Sequence, residues 1–257
     1  MFWKHLRLIL LVTTIAVSFA LAASPGSLMV FAGAASRPAL QEAAKAFEKK
    51  YHARIHCTFG GSGTVLSQML LTKTGDVYVP GSGFNMRIAE EKGVVKKGAA
   101  RKVAYLIPVI SVQKGNPKKI ASLKDLAQPG LKVAIARPGA VCLGDVGVTL
   151  LRRAEVYDAV MKNVVTQPLD CGQTAGVVRM KQVDAAIGWD VFGKWYPKDI
   201  ASVSIPKDIR GSAWDYIPAA VTVYSKRPRL ARQWIDFLVS PEGKSIFRKH
   251  GYLTEVK

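Results

Sequence analysis

The chain is poor in the residues that carry most enzyme chemistry. Among 257 residues it has 18 Asp and Glu, four His and three Cys. The His beyond the amino-terminal segment are His52, His56 and His250, and none has metal-ligand spacing with a Cys or a carboxylate. We therefore expect no metal site, no cofactor and no catalytic group, and we predict that the protein is not an enzyme.

The sequence also lacks complete nucleotide-binding and nucleophile motifs. In the run Gly-Gly-Ser-Gly-Thr at 60–64, Leu66 stands where a dinucleotide-binding turn needs its third glycine. Thr64 ends the same run where a nucleophile elbow needs a glycine. There is no zinc-finger spacing and no aromatic-basic motif, so nucleic acid is not expected as a partner.

Beyond the amino terminus, no apolar run is long enough to cross a membrane. The start of the chain combines the basic residues Lys4 and Arg7, an apolar run, and small residues at 20–22. The apolar run has about 14 residues, whereas a membrane span needs roughly 20. We predict a signal peptide over residues 1–23 and a periplasmic location for the rest.

Acidic residues are outnumbered by 37 Lys and Arg, which gives a formal net charge of +19. Lys4 and Arg7 belong to the predicted signal peptide, so 19 − 2 leaves +17 for the remaining chain. The basic residues occur in ones and twos along the sequence, as is typical of solvated surfaces. This balance is compatible with an anionic ligand but does not by itself identify one.

Three cysteines in an exported chain leave at least one unpaired, although disulfides can persist outside the cytoplasm. Cys57 lies in an alternating segment that predicts a strand, so we expect it to be a small buried apolar group. Cys142 and Cys171 both lie in predicted loops of the middle section. A disulfide, if one forms, is expected between these two.

Short β-rich runs alternate with helical patterns, which is typical of parallel sheets flanked by helices. Two extended apolar runs, at 105–113 and 217–224, bracket a block of about a hundred residues with its own strands and helices. Two chain crossings between two α/β lobes explain this layout. The predicted lobes are residues 24–108 plus 220–257 and residues 109–219. Shorter strands are expected at 28–32, 53–59, 76–80, 132–136, 163–166 and 185–189.

Four predicted loops run from the end of a strand into the start of a helix and are rich in small residues. In open α/β sheets, ligands bind beyond the carboxyl ends of the strands, where helix starts present N–H groups to anions. Single loops of this kind are explained as well by helix capping, in which Ser36 and Ser62 would serve as caps. Four together favour a shared anion site. The loops are residues 32–36, 60–64, 138–144 and 171–174.

Eight segments resemble, in the same order, the molybdate-binding periplasmic proteins of ABC transporters. The resemblance covers nearly the whole chain after the predicted signal peptide. It implies the type II periplasmic binding-protein fold, with two lobes of mostly parallel sheet flanked by helices and two extended crossings. The segments are residues 30–36, 43–50, 59–63, 75–80, 114–117, 122–127, 183–187 and 240–244.

The resemblance also implies which residues bind the ligand. Hydroxyl-bearing positions in the first two loops align with Ala35 and Ser62, and Ser36 is displaced from the first of them by one residue. Backbone donors of the second lobe align with Leu143 and Cys171, and a tyrosine hydroxyl aligns with Trp189. Ala35 and Trp189 thus differ from the family pattern. The full set predicted for anion binding is Ala35, Ser36, Gly61, Ser62, Gly63, Leu143, Gly144, Cys171 and Trp189.

The resemblance implies a monomeric receptor that captures molybdate or tungstate and delivers it to an ABC transporter permease. Because an indole N–H donates but cannot accept, and because the Trp189 ring is larger than a tyrosine ring, two alternatives stay open. One is a receptor for an organic or phosphate-bearing anion. The other is an exported adhesin-like protein that keeps the fold.

Overall fold

The structure, a computed structural model, describes residues 26–210 and 215–255. The predicted signal peptide lies outside the described residues. Within the described residues, no helix is both long enough and apolar enough to span a membrane.

Ten strands form two five-stranded sheets in the described part of the chain. Their bounds are β1 Ser27–Gly33, β2 Arg54–Gly60, β3 Val77–Val79, β4 Arg101–Leu106, β5 Pro108–Gln113, β6 Val133–Ala134, β7 Val164–Thr166, β8 Ala185–Trp189, β9 Ile200–Ser204 and β10 Asp215–Val221. The first sheet has the order β2-β1-β3-β10-β4 and the second β7-β6-β8-β5-β9. In each sheet three neighbouring strands are parallel, and one strand, β10 or β5, is antiparallel to both of its neighbours. The predicted two-lobed α/β fold is confirmed.

Across residues 26–210 and 215–255, ten α-helices and two short 3-10 turns, Ala34–Ser36 and Lys124–Ala127, connect the strands. The helices are α1 Arg37–Tyr51, α2 Ser62–Thr72, α3 Gly83–Glu91, α4 Cys142–Arg153, α5 Tyr157–Met161, α6 Cys171–Arg179, α7 Phe192–Trp195, α8 Lys207–Arg210, α9 Pro228–Val239 and α10 Pro241–Lys249. We call the first sheet with α1–α3, α9 and α10 lobe 1, and the second sheet with α4–α8 lobe 2.

Helices cover both faces of the first sheet, so that Val30 and Phe31, which are successive residues of β1, are both buried, in two separate apolar clusters. In lobe 1, Phe47 of α1 packs edge-on against Trp234 of α9, with ring centroids 5.1 Å apart, and Phe237 lies 5.5 Å from Phe47. All three rings are almost fully buried. This aromatic cluster fixes α1 and α9 on the sheet, and so it fixes the direction from which α1 meets the cleft.

The chain crosses between the lobes at Ile107, because β4 belongs to the first sheet and β5 to the second. The sequence predicts one extended run at 105–113, and the structure divides it into strands of different sheets. Both parts are apolar, so hydropathy carries no mark of the division. The predicted lobe boundaries stay a prediction, and the one at 219/220 falls within β10.

Three local predictions are wrong. Cys142 was expected in a loop, but it is the first residue of α4, which begins directly after the extended backbone of Val141. Cys171 was expected in a loop, but it is the first residue of α6, because Asp170 caps that helix through a bond from Gln173 N–H to Oδ1 at 2.8 Å. Residues 200–204 were not assigned to a strand, but they form β9 at the edge of the second sheet. The alternation of buried and exposed residues in β9 is typical of a half-covered edge strand.

Candidate functional site

The helix starts of lobe 1 meet beside the ends of β1 and β3. Ser62, the first residue of α2, is 2% exposed, and its Oγ accepts a hydrogen bond from Gly81 N–H at 3.0 Å. The buried Tyr78 hydroxyl donates to Ser62 O at 2.9 Å. Within the described residues no hydrogen bond takes up the proton of the Ser62 hydroxyl. Ser62 is therefore a fixed donor and not the helix cap that the alternative interpretation required.

Ala35 and Ser36 lie in the 3-10 turn before α1, and both are buried. The Ser36 hydroxyl donates to Gly33 O at 2.9 Å, so its proton is already in use. The Ala35 carbonyl accepts from the Tyr252 hydroxyl. The first loop of lobe 1 therefore has backbone groups but no free hydroxyl proton for a ligand. The Ser36 side chain does not replace the hydroxyl that the family has at the position of Ala35.

Lobe 2 touches lobe 1 directly at the start of α2. Gly63 N–H and Thr64 N–H donate to Ala140 O at 3.0 and 3.4 Å. A Cβ on Gly61 would lie 2.3 Å from Ala140 O, and one on Gly63 would lie 2.2 Å from Gly139 O. Glycine is thus required at both positions for this close approach. The N–H group of Gly63, predicted to bind the anion, instead donates to lobe 2.

In lobe 2, the start of α6 packs against the 3-10 turn of lobe 1. The carbonyl of Asp170 accepts from Thr174 N–H at 3.0 Å, and the Asp170 carboxylate accepts from Gln173 N–H. The first two N–H groups of α6, those of Cys171 and Gly172, have no hydrogen-bond partner among the described residues. They are therefore available to a ligand, as expected for the start of a helix.

The N–H groups at the start of α4 differ in whether they have a partner within lobe 2. Gly144 N–H donates to Val141 O at 2.9 Å, and a Cβ on Gly144 would lie 2.2 Å from Ala136 O. Gly144 thus allows α4 to pack on its own strand and is not an open donor. Leu143 N–H has no partner within the described residues. A Cβ on Gly81 of lobe 1 would lie 3.0 Å from Cys142 Sγ, so α4 reaches the Ser62 group.

Trp189, the last residue of β8, is fully buried, and within the described residues its indole N–H makes no hydrogen bond of standard geometry, although it lies close enough to the Cys171 sulfur to stabilise a thiolate there. It lies beside the Cys171 thiol. Burial raises the pKa of that thiol well above its usual value, the nearby Cys142 raises it further, and the Trp189 indole partly offsets both. Cys171 is therefore an uncharged thiol at neutral pH and does not repel an anion.

The three cysteines are thiols in the structure. The disulfide left open between Cys142 and Cys171 is therefore not formed in it, although both residues begin helices at the cleft. Cys57 lies in β2 as expected and is partly buried, and burial raises the pKa of its thiol to about 12, with an opposing effect of Arg37.

Asp190, directly after Trp189, is bonded to the lobe crossing in two ways. Its N–H donates to Ile107 O at 2.9 Å, and its Oδ1 accepts from Ile107 N–H at 3.1 Å. Burial raises the pKa of Asp190 to about 6, against the lowering effects of nearby N–H groups and of Arg210. No sequence pattern singles out this carboxylate, because its hydrogen-bond partner Ile107 is distant along the chain.

A basic cavity, which was not predicted from the sequence, lies at one side of the cleft. It has a volume of about 360 Å³ and is lined by Arg87 of α3, Arg153 of α4, and Arg210 of α8. These residues are scattered along the sequence and meet only because α3 and α4 face each other across the cleft. Within the described residues no cluster of three or more His, Cys, Asp and Glu could hold a metal ion.

Comparisons with known proteins give one family and several ligand classes. Residues 28–253 match the family described as bacterial extracellular solute-binding protein. The molybdate-binding protein ModA of Mycobacterium tuberculosis is 25% identical over 227 residues, which are 88% of this chain and 84% of that protein. The relatives are named as binding proteins, which supports a role other than catalysis.

Two solved structures show the same fold. The periplasmic molybdate-binding protein of Azotobacter vinelandii has a TM-score of 0.76 at 17% identity, over 89% of this chain and 100% of that one. The periplasmic binding protein AfuA of Actinobacillus pleuropneumoniae, with fructose-6-phosphate bound, has a TM-score of 0.78 at 19% identity, over 89% and 85% of the two chains. At these identities the likeness shows the fold and leaves the ligand open.

Proposed function

Because this chain belongs to the bacterial extracellular solute-binding proteins, we propose that it captures an anion with a tetrahedral oxyanion group between its lobes. It delivers this ligand, as a periplasmic monomer, to the permease of an ABC importer. Molybdate and tungstate are the first candidates, since the sequence resembles their receptors. The proposed contacts are the Ser62 hydroxyl and the helix-start N–H groups of Leu143 and Cys171, together with the Trp189 indole.

One observation supports the proposal: hydrogen-bond donors of both lobes lie at neighbouring helix starts. Gly81 lies between Ser62 Oγ and Cys142 Sγ, and Cys171 lies close to both Cys142 and Trp189. Within the described residues the buried indole of Trp234 also lacks a partner, but it packs against Phe47 inside lobe 1. Only donors at the cleft can serve a ligand, and an oxyanion accepts from all of them.

This donor set would select by charge and by protonation. The helix starts and neutral donors bind an anion without a buried counter-charge, and their positions are set by the sheets. A protonated oxyanion has to donate one hydrogen bond, whereas the proposed contacts are all donors. The protonated form therefore binds more weakly.

A phosphate-bearing organic anion is the second candidate. It is favoured by the first loop, where Ala35 has no hydroxyl and the Ser36 proton is committed to Gly33 O. Lobe 1 thus makes fewer side-chain contacts to an oxyanion than the molybdate pattern implies. A ligand with a larger body recovers the lost binding free energy through contacts outside the oxyanion group.

A thermal-shift screen tests the proposal. The chain after the predicted signal peptide is heated with molybdate, tungstate, sulfate, phosphate and small carboxylates. We expect at least one oxyanion to raise the melting temperature, because a ligand at 100 times its Kd stabilises by about 2.7 kcal/mol. Ser62→Ala is expected to lower the shift, whereas Ser67→Ala, at an exposed position of the same helix, leaves it unchanged.

Failure of every anion to raise the melting temperature would refute the receptor proposal. It would favour the adhesin-like alternative, in which the basic surface and not the cleft makes the functional contact. A shift that Ser62→Ala leaves intact would show that an anion binds elsewhere.

A further inference from the structure

The basic cavity between α3 and α4 collects arginines from both lobes. Arg87 belongs to lobe 1, and Arg153 and Arg210 belong to lobe 2. Among the described lining residues Asp145 is the one carboxylate, and its Oδ1 already accepts from Gly139 N–H at 2.9 Å. The cavity is therefore positive at neutral pH.

The two exposed arginines are not neutralised by the described part of the chain. Arg87 lies over the Phe84 ring at 5.7 Å. Arg153 Nη1 donates to the carbonyls of Ile209 and Arg210 at 3.4 and 3.2 Å. Within the described residues neither forms an ion pair with a carboxylate. Each guanidinium has five N–H donors, so most of this donor capacity faces the cavity or solvent.

Closure of the cleft brings these like charges together. Arg87 moves with lobe 1 and Arg153 with lobe 2, so their repulsion opposes the approach of the lobes. An anion between them replaces this repulsion by two attractions. A negatively charged group in this cavity would thus favour the closed arrangement.

The cavity adjoins the proposed oxyanion contacts. Ser82 and Cys142 form part of its wall. Cys142 Sγ lies against Gly81, whose N–H donates to Ser62 Oγ. Phe84, Val146 and Leu150 add apolar surface for a carbon skeleton. One small organic ligand can therefore contact both the basic cavity and the proposed oxyanion site.

We propose that this cavity is a subsite for a second acidic group of the same ligand, and that the ligand is an organic phosphate that also carries a carboxylate. The inference rests on the proposed function, because it leaves the phosphate at the helix starts. A planar carboxylate matches the fork of a guanidinium and accepts two parallel hydrogen bonds from it.

Calorimetric titration of the chain after the predicted signal peptide tests this inference with three probes: inorganic phosphate, isopropyl phosphate and 2-phospholactate. The last two differ only by a methyl group in place of a carboxylate. We expect phospholactate to bind roughly tenfold more tightly than isopropyl phosphate, because a charge-assisted hydrogen bond contributes about this much. Arg87→Gln and Arg153→Gln should each remove most of this difference and leave isopropyl phosphate within about twofold of wild type.

Arg152→Gln is the matched control, since Arg152 neighbours Arg153 on α4 but stacks over Tyr157 at 5.1 Å. It should keep the full preference for phospholactate. Equal binding of the two organic phosphates by the wild type, or equal weakening of both by Arg87→Gln, would overturn the subsite alone. If inorganic oxyanions bind through Ser62 but no organic phosphate does, the subsite is refuted and the receptor proposal stands. If none of these anions binds, both proposals are refuted.

Discussion

The helices that begin at the cleft differ in charge between the two lobes. In lobe 1, α1, α2 and α3 have no acidic residue in the first turn, and the serines there are buried. In lobe 2, Asp145 lies in the first turn of α4 and Asp170 caps α6. The positive ends of the lobe-1 helices are thus left without compensating charge, whereas those of lobe 2 are partly neutralised.

This difference suggests a division of roles. Lobe 1 provides the stronger field for a first encounter with an anion. Lobe 2 provides carboxylates that fix its loops, together with the buried Trp189 indole that we propose as a ligand contact. Four variants test this contrast, and the one with the strongest expected effect comes first.

The close contact between the lobes at α2 is expected to be the most sensitive feature. Gly63→Ala places a methyl group 2.2 Å from Gly139 O, which the closed arrangement cannot contain without a shift of one lobe. Overpacking of this kind costs about 1–3 kcal/mol, so the anion that best stabilises the protein in the thermal screen should bind roughly 5- to 150-fold more weakly.

Titration calorimetry measures this loss, and circular dichroism verifies the fold. Gly176→Ala on α6 is the control, because a methyl group there meets only Met180 Cε at 3.9 Å. Unchanged affinity in Gly63→Ala would mean that binding does not need the contact between the lobes.

Asp190 of lobe 2 should make stability depend on pH. Its folded pKa of about 6 lies above the ordinary value of 3.8, so the folded state binds the proton more tightly than the unfolded state. The free energy of unfolding therefore falls as pH rises from about 4 to 6, by at most about 3 kcal/mol, and is level above that range.

Asp190→Asn removes this slope. Urea unfolding at pH 4, 5, 6 and 7 should show that the stability of the variant relative to wild type increases with pH over the same range. Asp158→Asn, at an exposed position of α5, serves as the control. A parallel pH dependence in wild type and Asp190→Asn would contradict the assignment.

Ser62→Ala tests the hydroxyl that lobe 1 contributes. The variant removes a fixed donor and leaves Gly81 N–H without its acceptor, so affinity for the same anion should fall about tenfold. Titration calorimetry checks this, with Ser67→Ala as the matched substitution. A weaker effect than that of Trp189→Phe would reverse the proposed ranking of the lobes.

Trp189→Phe tests the corresponding donor of lobe 2. Phenylalanine keeps an aromatic ring but lacks the indole N–H, and we expect a loss of about threefold in affinity because one neutral hydrogen bond is removed. Trp234→Phe in the aromatic cluster of lobe 1 is the control, and it should lower stability without changing affinity. Equal affinity in wild type and Trp189→Phe would exclude the indole as a ligand contact.

The sequence predicted the elements that follow from local pattern. The strands at β1, β2 and β8 agree with the structure, whereas the loop predicted at 60–64 contains the first residues of α2, Ser62 among them. The start of α6 was predictable from Asp170 and Gln173, which have the spacing of a helix cap, but this signal was missed.

Other features depend on contacts between distant parts of the chain. The pairing of Asp190 with Ile107 and the meeting of Arg87 with Arg153 arise only when the lobes are assembled. Composition and periodicity describe one element at a time, so they report basic residues on α3 and α4 but not the cavity that the two helices enclose. The predicted anion contacts remain a prediction for the same reason.

The two bonds between Asp190 and Ile107 tie Trp189 to the crossing between the sheets. Trp189 and Asp190 are neighbours in sequence, and Ile107 lies where one sheet passes into the other. If the ligand contacts Trp189 as proposed, it acts one residue away from a hydrogen-bonded crossing segment, and the stiffness of that segment would then contribute to the discrimination between ligands.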